Sequence, residues 1–169
     1  PDFRAAERTF QLLTQVAGRA GRGESPGQVV VQTWSAEHYA IAPVRRHDYE
    51  AFYRSELAHR RELGYPPFGA LARLLVSGPE EGATWEGATR LAEAARAASA
   101  ASGREPPCEV LGPAPAPLAR LRGRYRVQLL LKHAEAAVVH AVAASLVEPA
   151  RSLGEPLRTA LDTQPVDML

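Results

Sequence analysis

A mixed α/β (α+β) fold follows from three observations on the 169-residue sequence. The second half orders its apolar runs as strand, helix, strand, strand, helix, strand. The first half holds two amphipathic helical stretches, and a Gly-Tyr-Pro-Pro-Phe tract at 64–68 stands between the halves, where paired prolines stop a helix. Hydrophobic residues at 46% and charged residues at 23% supply an ordinary core. With 13 Gly and 14 Pro the chain is neither collagenous nor wholly disordered.

Residues 3–16 place Phe3, Ala6, Phe10, Leu13 and Ala17 at helical spacing, with Asp2 as candidate N-cap. Gly18, Gly21 and Gly23 predict the end of that helix. Residues 28–34 (QVVVQTW), bounded by Pro26-Gly27 and Ser35, predict a buried strand closed by Trp34. This αβ unit has no second layer of its own, so its apolar faces need one from elsewhere.

A helix is expected after Pro43, with Asp48 and Glu50 in its first turn and His59, Arg60 and Arg61 in its last, and Gly64 and Pro66 marking its stop. Tyr49, Phe52, Tyr53 and Leu57 form its expected apolar face. Tyr65-Pro66-Pro67-Phe68 reads as an extended link at a domain boundary; it could stack bases, clasp a partner or simply pack.

Beyond the link, 70–76 predicts a strand and 80–101 a helix buried through Trp85, Ala88, Leu91, Ala92 and Ala95. A short strand at 108–111, a long hairpin loop at 112–123 and a strand at 124–133 follow. A helix at 136–146, buried through Val138, Val139, Val142 and Leu146, and a strand at 157–163 complete the order. An order βαββαβ closes a ferredoxin-like split βαβ sandwich.

The formal net charge of +1 makes no argument for nucleic acid, so the distribution of charge must carry it. Lys132 is the only lysine; every other basic residue besides histidine is arginine, the cation that binds phosphate bidentately. Along 124–133 the alternation puts Arg124, Arg126, Gln128 and Lys132 on one face with Leu130, and Tyr125, Val127, Leu129 and Leu131 on the other. Arg120 and Arg122 extend this cationic edge as candidate DNA contacts. The alternative is a solvated face that keeps a strand soluble.

The five histidines show no zinc-ligand spacing and read as surface or capping residues, and the single Cys108 fits a reducing cytoplasm. No apolar run approaches the length of a membrane span. The start at Pro1 suggests a piece of a longer protein.

The string Gln15-Val16-Ala17-Gly18-Arg19-Ala20-Gly21-Arg22 lets the backbone pass close to a ligand and carries two arginines able to reach one polyphosphate, although an exposed basic helix end has the same look. The whole string resembles motif VI of superfamily two helicases. The tracts Glu62 to Phe68, Leu111 to Pro117 and Arg124 to Lys132 resemble the C-terminal part of the PriA family of primosomal replication-restart helicases. That resemblance implies the end of a RecA-like helicase lobe two in 1–37, a helical linker in 38–68 and a C-terminal DNA-binding domain in 69–169.

It further implies an ATP-dependent 3′ to 5′ DNA helicase, with Gln15, Gly18 and Gly21 toward the nucleotide and Arg19 and Arg22 toward its γ-phosphate, Arg22 as arginine finger. Implied with it are ATP and Mg²⁺ in the full-length protein, zinc held upstream by cysteines this sequence lacks, and as partners forked and single-stranded DNA, single-stranded DNA-binding protein and other primosome proteins. The only lysine follows no glycine-rich loop, so no phosphate-cradling P-loop is present and the segment should not hydrolyse ATP alone. The competing expectation is a noncatalytic nucleic-acid or protein-binding module retaining a helicase-like remnant.

Overall fold

Asp2 opens the first helix: its Oδ1 accepts the Arg4 N–H at 2.9 Å and its carbonyl accepts the Ala5 N–H at 3.1 Å. In the computed structural model, which describes residues 2–20 and 27–165, α1 then runs Ala5–Ala20. Gly18 does not end it. One exposed glycine costs a helix interior about 1 kcal/mol, too little to stop propagation. Gly21, Arg22 and Gly23 lie outside the described residues.

The expected strand at 28–34 does not form. The segment pairs with no strand among the described residues, with Val30 84% exposed and Trp34 fully exposed, so Trp34 is not a packing residue among them. A single run of β-branched residues has no ladder to join without a neighbouring strand. Gly27 returns the chain to the end of α1, where a Cβ would fall 1.6 Å from the Ala20 carbonyl oxygen.

A 3-10 helix, Ala42–Arg46, leads into α2, Tyr49–Glu62, whose N-cap Asp48 accepts the Ala51 N–H at 2.9 Å. The core of this first unit, residues 2–63, is aromatic: Phe10 of α1 stacks on Phe52 of α2 with centroids 4.2 Å apart and planes 3° from parallel. Ala40 and Val44 are buried beside them, and Ala6, Leu13, Ala17 and Tyr39 pack around. The expected α2 face is corrected in part. Phe52 is buried, but Tyr49 and Tyr53 are exposed and stack on each other at 6.0 Å, while Glu56 is buried instead. Glu56 is buried because Arg60 Nε and Tyr39 Oη both donate to it.

The second unit, residues 64–165, holds β1 (Ala70–Gly78), α3 (Glu81–Ala101), β2 (Glu109–Leu121), β3 (Arg124–His133), α4 (Ala136–Ser145), α5 (Val147–Arg151) and β4 (Arg158–Asp162). Its sheet is antiparallel in the order β2-β3-β1-β4, the arrangement that a split βαβ pair produces. The core face carries Ala72, Leu74 and Val76 of β1 and Val127, Leu129 and Leu131 of β3. Against it pack Ala88, Leu91 and Ala95 of α3 and Val138, Val139, Val142 and Ala143 of α4. Each large side chain so enclosed contributes about 1.5–3 kcal/mol.

Two expectations need correction here. The tract 112–123 is not a long loop: β2 continues to Leu121 and only Arg122-Gly123 turn the hairpin. Prolines 113, 115 and 117 are tolerated because β2 is an edge strand, where a missing N–H need not break the ladder. The register slips twice, between Leu111/Ala114 and Pro115/Arg120. The link at 65–68 is a turn rather than extended, closed by Phe68 N–H donating to the Tyr65 carbonyl at 2.9 Å.

Candidate nucleic-acid interface

The turn of the β2–β3 hairpin decides which arginines face solvent. Arg122 has φ +50° and Gly123 φ +77°, so both central residues are left-handed, as a two-residue turn matched to strand twist requires. A left-handed conformation costs a residue with a Cβ about 1–2 kcal/mol. The turn thus carries an arginine at its apex in a conformation that asparagine or glycine would adopt at less cost.

Five cations were expected on this edge, and the structure sorts them into two groups. Arg120 and Arg122 are exposed and form no ion pair among the described residues. The Arg120 guanidinium lies over the Tyr125 ring, 5.0 Å from its centroid, which limits its rotamers without neutralising it. Arg124, Arg126 and Lys132 are tied down. Arg124 Nη2 donates to the carbonyls of Ser77, at 2.8 Å, and Pro156. Arg126 is 8% exposed and donates to the Leu118 carbonyl at 3.3 Å. Lys132 Nζ pairs with Glu109 at 2.8 Å and lies 5.3 Å from the Tyr65 ring centroid.

The face expected to be open and cationic is therefore largely closed: Gln128 and Leu130, beside Arg126, are 1% and 4% exposed. Alternation along the strand told the two faces apart correctly and said nothing about what covers the second. The register slips of β2 were the missed feature; its irregular stretch reaches Arg126 through the Leu118 carbonyl. The sequence signal was Gly112 with φ +98°, where a Cβ would sit 2.9 Å from the Gln128 carbonyl oxygen. Arg158, exposed at the start of β4 and opposite Ser77, is a further cation that sequence reasoning left out.

Of the string 15–22, Gln15, Gly18 and Arg19 lie within the last turns of α1 and are exposed. Gln15 and Arg19 are four residues apart and share one face, turned away from the Phe10 core. Gly21 and Arg22 fall outside the described residues. The donors present fit one wall of an anionic site. Zinc does not fit the residues present: Cys108 is buried, its thiol pushed up from 9.0 chiefly by that burial, and no group of three His, Cys, Asp or Glu residues is gathered among the described residues. No helix of the described residues is long and apolar enough to cross a membrane.

His133, read as a surface or capping residue, is buried and caps. Its Nδ1 accepts the N–H of Glu135, the N-cap residue just before α4, and its Nε2 lies 3.1 Å from the Pro106 carbonyl.

A family model described as Primosomal protein N C-terminal domain matches residues 61–166. Among curated proteins, the chain is 44% identical over 148 residues to the Replication restart protein PriA of Bacillus subtilis, covering 88% of this chain and 18% of that protein. It is 41% identical over 150 residues to the protein of the same name from Treponema pallidum, covering 88% and 22%. To that of Haemophilus influenzae it is 31% identical over 167 residues, covering 99% and 22%. The chain thus spans about a fifth of the length of these relatives.

Proposed function

The chain belongs to the primosomal protein N C-terminal domain family, and from that premise we propose that it is the C-terminal segment of a replication-restart DNA helicase. In this reading the 64–165 unit grips branched or single-stranded DNA, and the end of α1 completes the ATP site of a longer protein as the edge of helicase lobe two. The observation that carries the DNA reading is the pair Arg120 and Arg122, held at a hairpin apex with no carboxylate partner among the described residues.

For the nucleotide, Gln15 and Arg19 would bind the polyphosphate from the exposed face of α1, and Arg22 would follow as arginine finger. Guanidinium groups there stabilise charge that spreads over the transferring phosphoryl group, an effect of about 10³ to 10⁵ in rate. Magnesium and the phosphate-cradling loop would come from elsewhere in the longer protein, as would any zinc. Single-stranded DNA-binding protein and other primosome proteins are proposed as partners from the likeness to the primosomal protein family. The family likeness supports this reading over a noncatalytic binding module, because the alignment with the Haemophilus influenzae relative takes in 99% of the chain and so runs across residues 15–22 as well as the domain.

The test is a salt titration of fork binding. Replacing Arg120 and Arg122 by alanine should reduce the slope of log K against log salt by about 0.7 for each lost phosphate contact on single strands. An unchanged slope would show that neither guanidinium meets phosphate. In the longer protein, Arg22→Ala should abolish DNA-stimulated ATPase while DNA binding persists.

A further inference from the structure

The hairpin apex carries more than charge. Leu118 and Leu121 are 45% and 47% exposed, and each lies within four residues of Arg122. Leu121 opposes Arg124 in the ladder, so it stands on that face of the ribbon; Arg120 opposes Tyr125 and stands on the other. The narrow end of the ribbon therefore has a leucine on one side, a guanidinium stacked on tyrosine on the other, and Arg122 at the point.

This end is braced from behind. Arg124, one residue past the turn, is fixed to carbonyls of Ser77 and Pro156, and Arg126 is fixed to that of Leu118. Two cations that could have met phosphate are spent on holding the ribbon still. An exposed leucine on a braced, positively charged tip is an unusual choice for a purely electrostatic grip, which gains nothing from apolar surface. Apolar side chains flanked by cations are what an unstacked base step accepts.

We propose that the β2–β3 tip is a wedge for DNA junctions, in which Leu121 and Leu118 pack against unpaired bases while Arg120 and Arg122 hold the flanking phosphates. The proposal rests on the DNA-binding reading above and adds the apolar side chains at the tip that meet the unpaired bases. Unstacking costs a few kcal/mol per step in intact duplex and least where the strands are already open. A leucine wedge therefore prefers a fork or a single-strand junction to a continuous duplex.

The experiment compares the 169-residue chain with Leu118→Ser/Leu121→Ser and with Arg120→Ala/Arg122→Ala, on a fork and on a duplex of equal length. Both leucines are already half exposed, so thermal melting should leave the serine variant folded, and Leu118→Met/Leu121→Met serves as the conservative rescue. The serine variant should lose about tenfold of the fork-over-duplex preference with an unchanged salt slope, and methionine should restore it. A 2-aminopurine base at the fork junction should brighten with the native chain and not with the serine variant.

Equal weakening on fork and duplex would overturn the wedge and place the ribbon in an intact groove. Fork binding unaffected by serine, with no 2-aminopurine response from the native chain, would also overturn it and assign the leucines to a protein partner. Loss of the salt-slope effect in the arginine variant alone would instead sink the electrostatic reading on which the wedge stands.

Discussion

Arg60 Nη2 in α2 donates to Glu7 Oε2 in α1 at 2.8 Å, while its Nε donates to Glu56 at 2.7 Å. One guanidinium therefore fastens the two helices beside the Phe10–Phe52 stack. The Arg4 hydrogen bond, reinforced by Arg60 against the opposing effect of burial, holds Glu7 at about 2, below its ordinary 4.5. A carboxyl depressed in the folded state stabilises that state fully above its unfolded pKa, and the contribution disappears as pH falls toward the folded value. Urea unfolding between pH 5 and 2 should thus show stability falling over this window, within roughly the limits set by those two values. In Glu7→Gln that acid limb should be flatter. An identical pH dependence in the variant would remove Glu7 from the linkage.

Arg122→Gly should raise stability and lower affinity together. Glycine adopts φ near +50° without the Cβ penalty of about 1 kcal/mol, so the denaturation midpoint should rise. The same change removes the apex cation, so the salt slope on single-stranded DNA should fall by about 0.7. A variant that gains neither stability nor loses slope would mean the apex conformation changes when the arginine is absent.

Arg124→Ala is expected to do the opposite. Its guanidinium is engaged by the Ser77 and Pro156 carbonyls, which lose their donor on truncation at a cost of about 1–3 kcal/mol. Chemical denaturation should show that loss, and the salt slope of DNA binding should stay where it is. A reduced slope with unaltered stability would return Arg124 to the phosphate contacts expected from strand alternation.

How far the sequence was legible differs between the two units for a physical reason. In the second unit each apolar run finds its partner within the chain, so periodicity located β3 at Arg124–His133 and the faces of α3 and α4. Strand β2 is legible only at its start, 108–111; its continuation to Leu121 runs through prolines that read as loop and that an edge strand accepts. In the first unit, Val29 to Val31 have the composition of a strand but no neighbour to pair with among the described residues, and composition alone cannot supply one. For the candidate site, alternation separates the two faces of β3 but does not say which of its cations stay exposed. Charge type is visible in a sequence; whether a guanidinium meets a backbone carbonyl or solvent depends on the register slips of β2, which are tertiary.

Gly18 separates the local from the functional requirement most cleanly. It lies inside α1, exposed, and a Cβ built on it meets nothing within 4 Å. By helix propensity alone, Gly18→Ala should stabilise this chain by about 0.5–1 kcal/mol, read from urea denaturation. Nothing in the described residues therefore explains a glycine here. The proposed nucleotide site does explain it, because a backbone that must approach a polyphosphate closely has no room for a side chain. The same substitution in the longer protein should consequently depress ATPase even as it firms the helix. Stabilisation with undiminished turnover would show that Gly18 faces open solvent in the longer protein, and would remove this turn of α1 from the proposed nucleotide site.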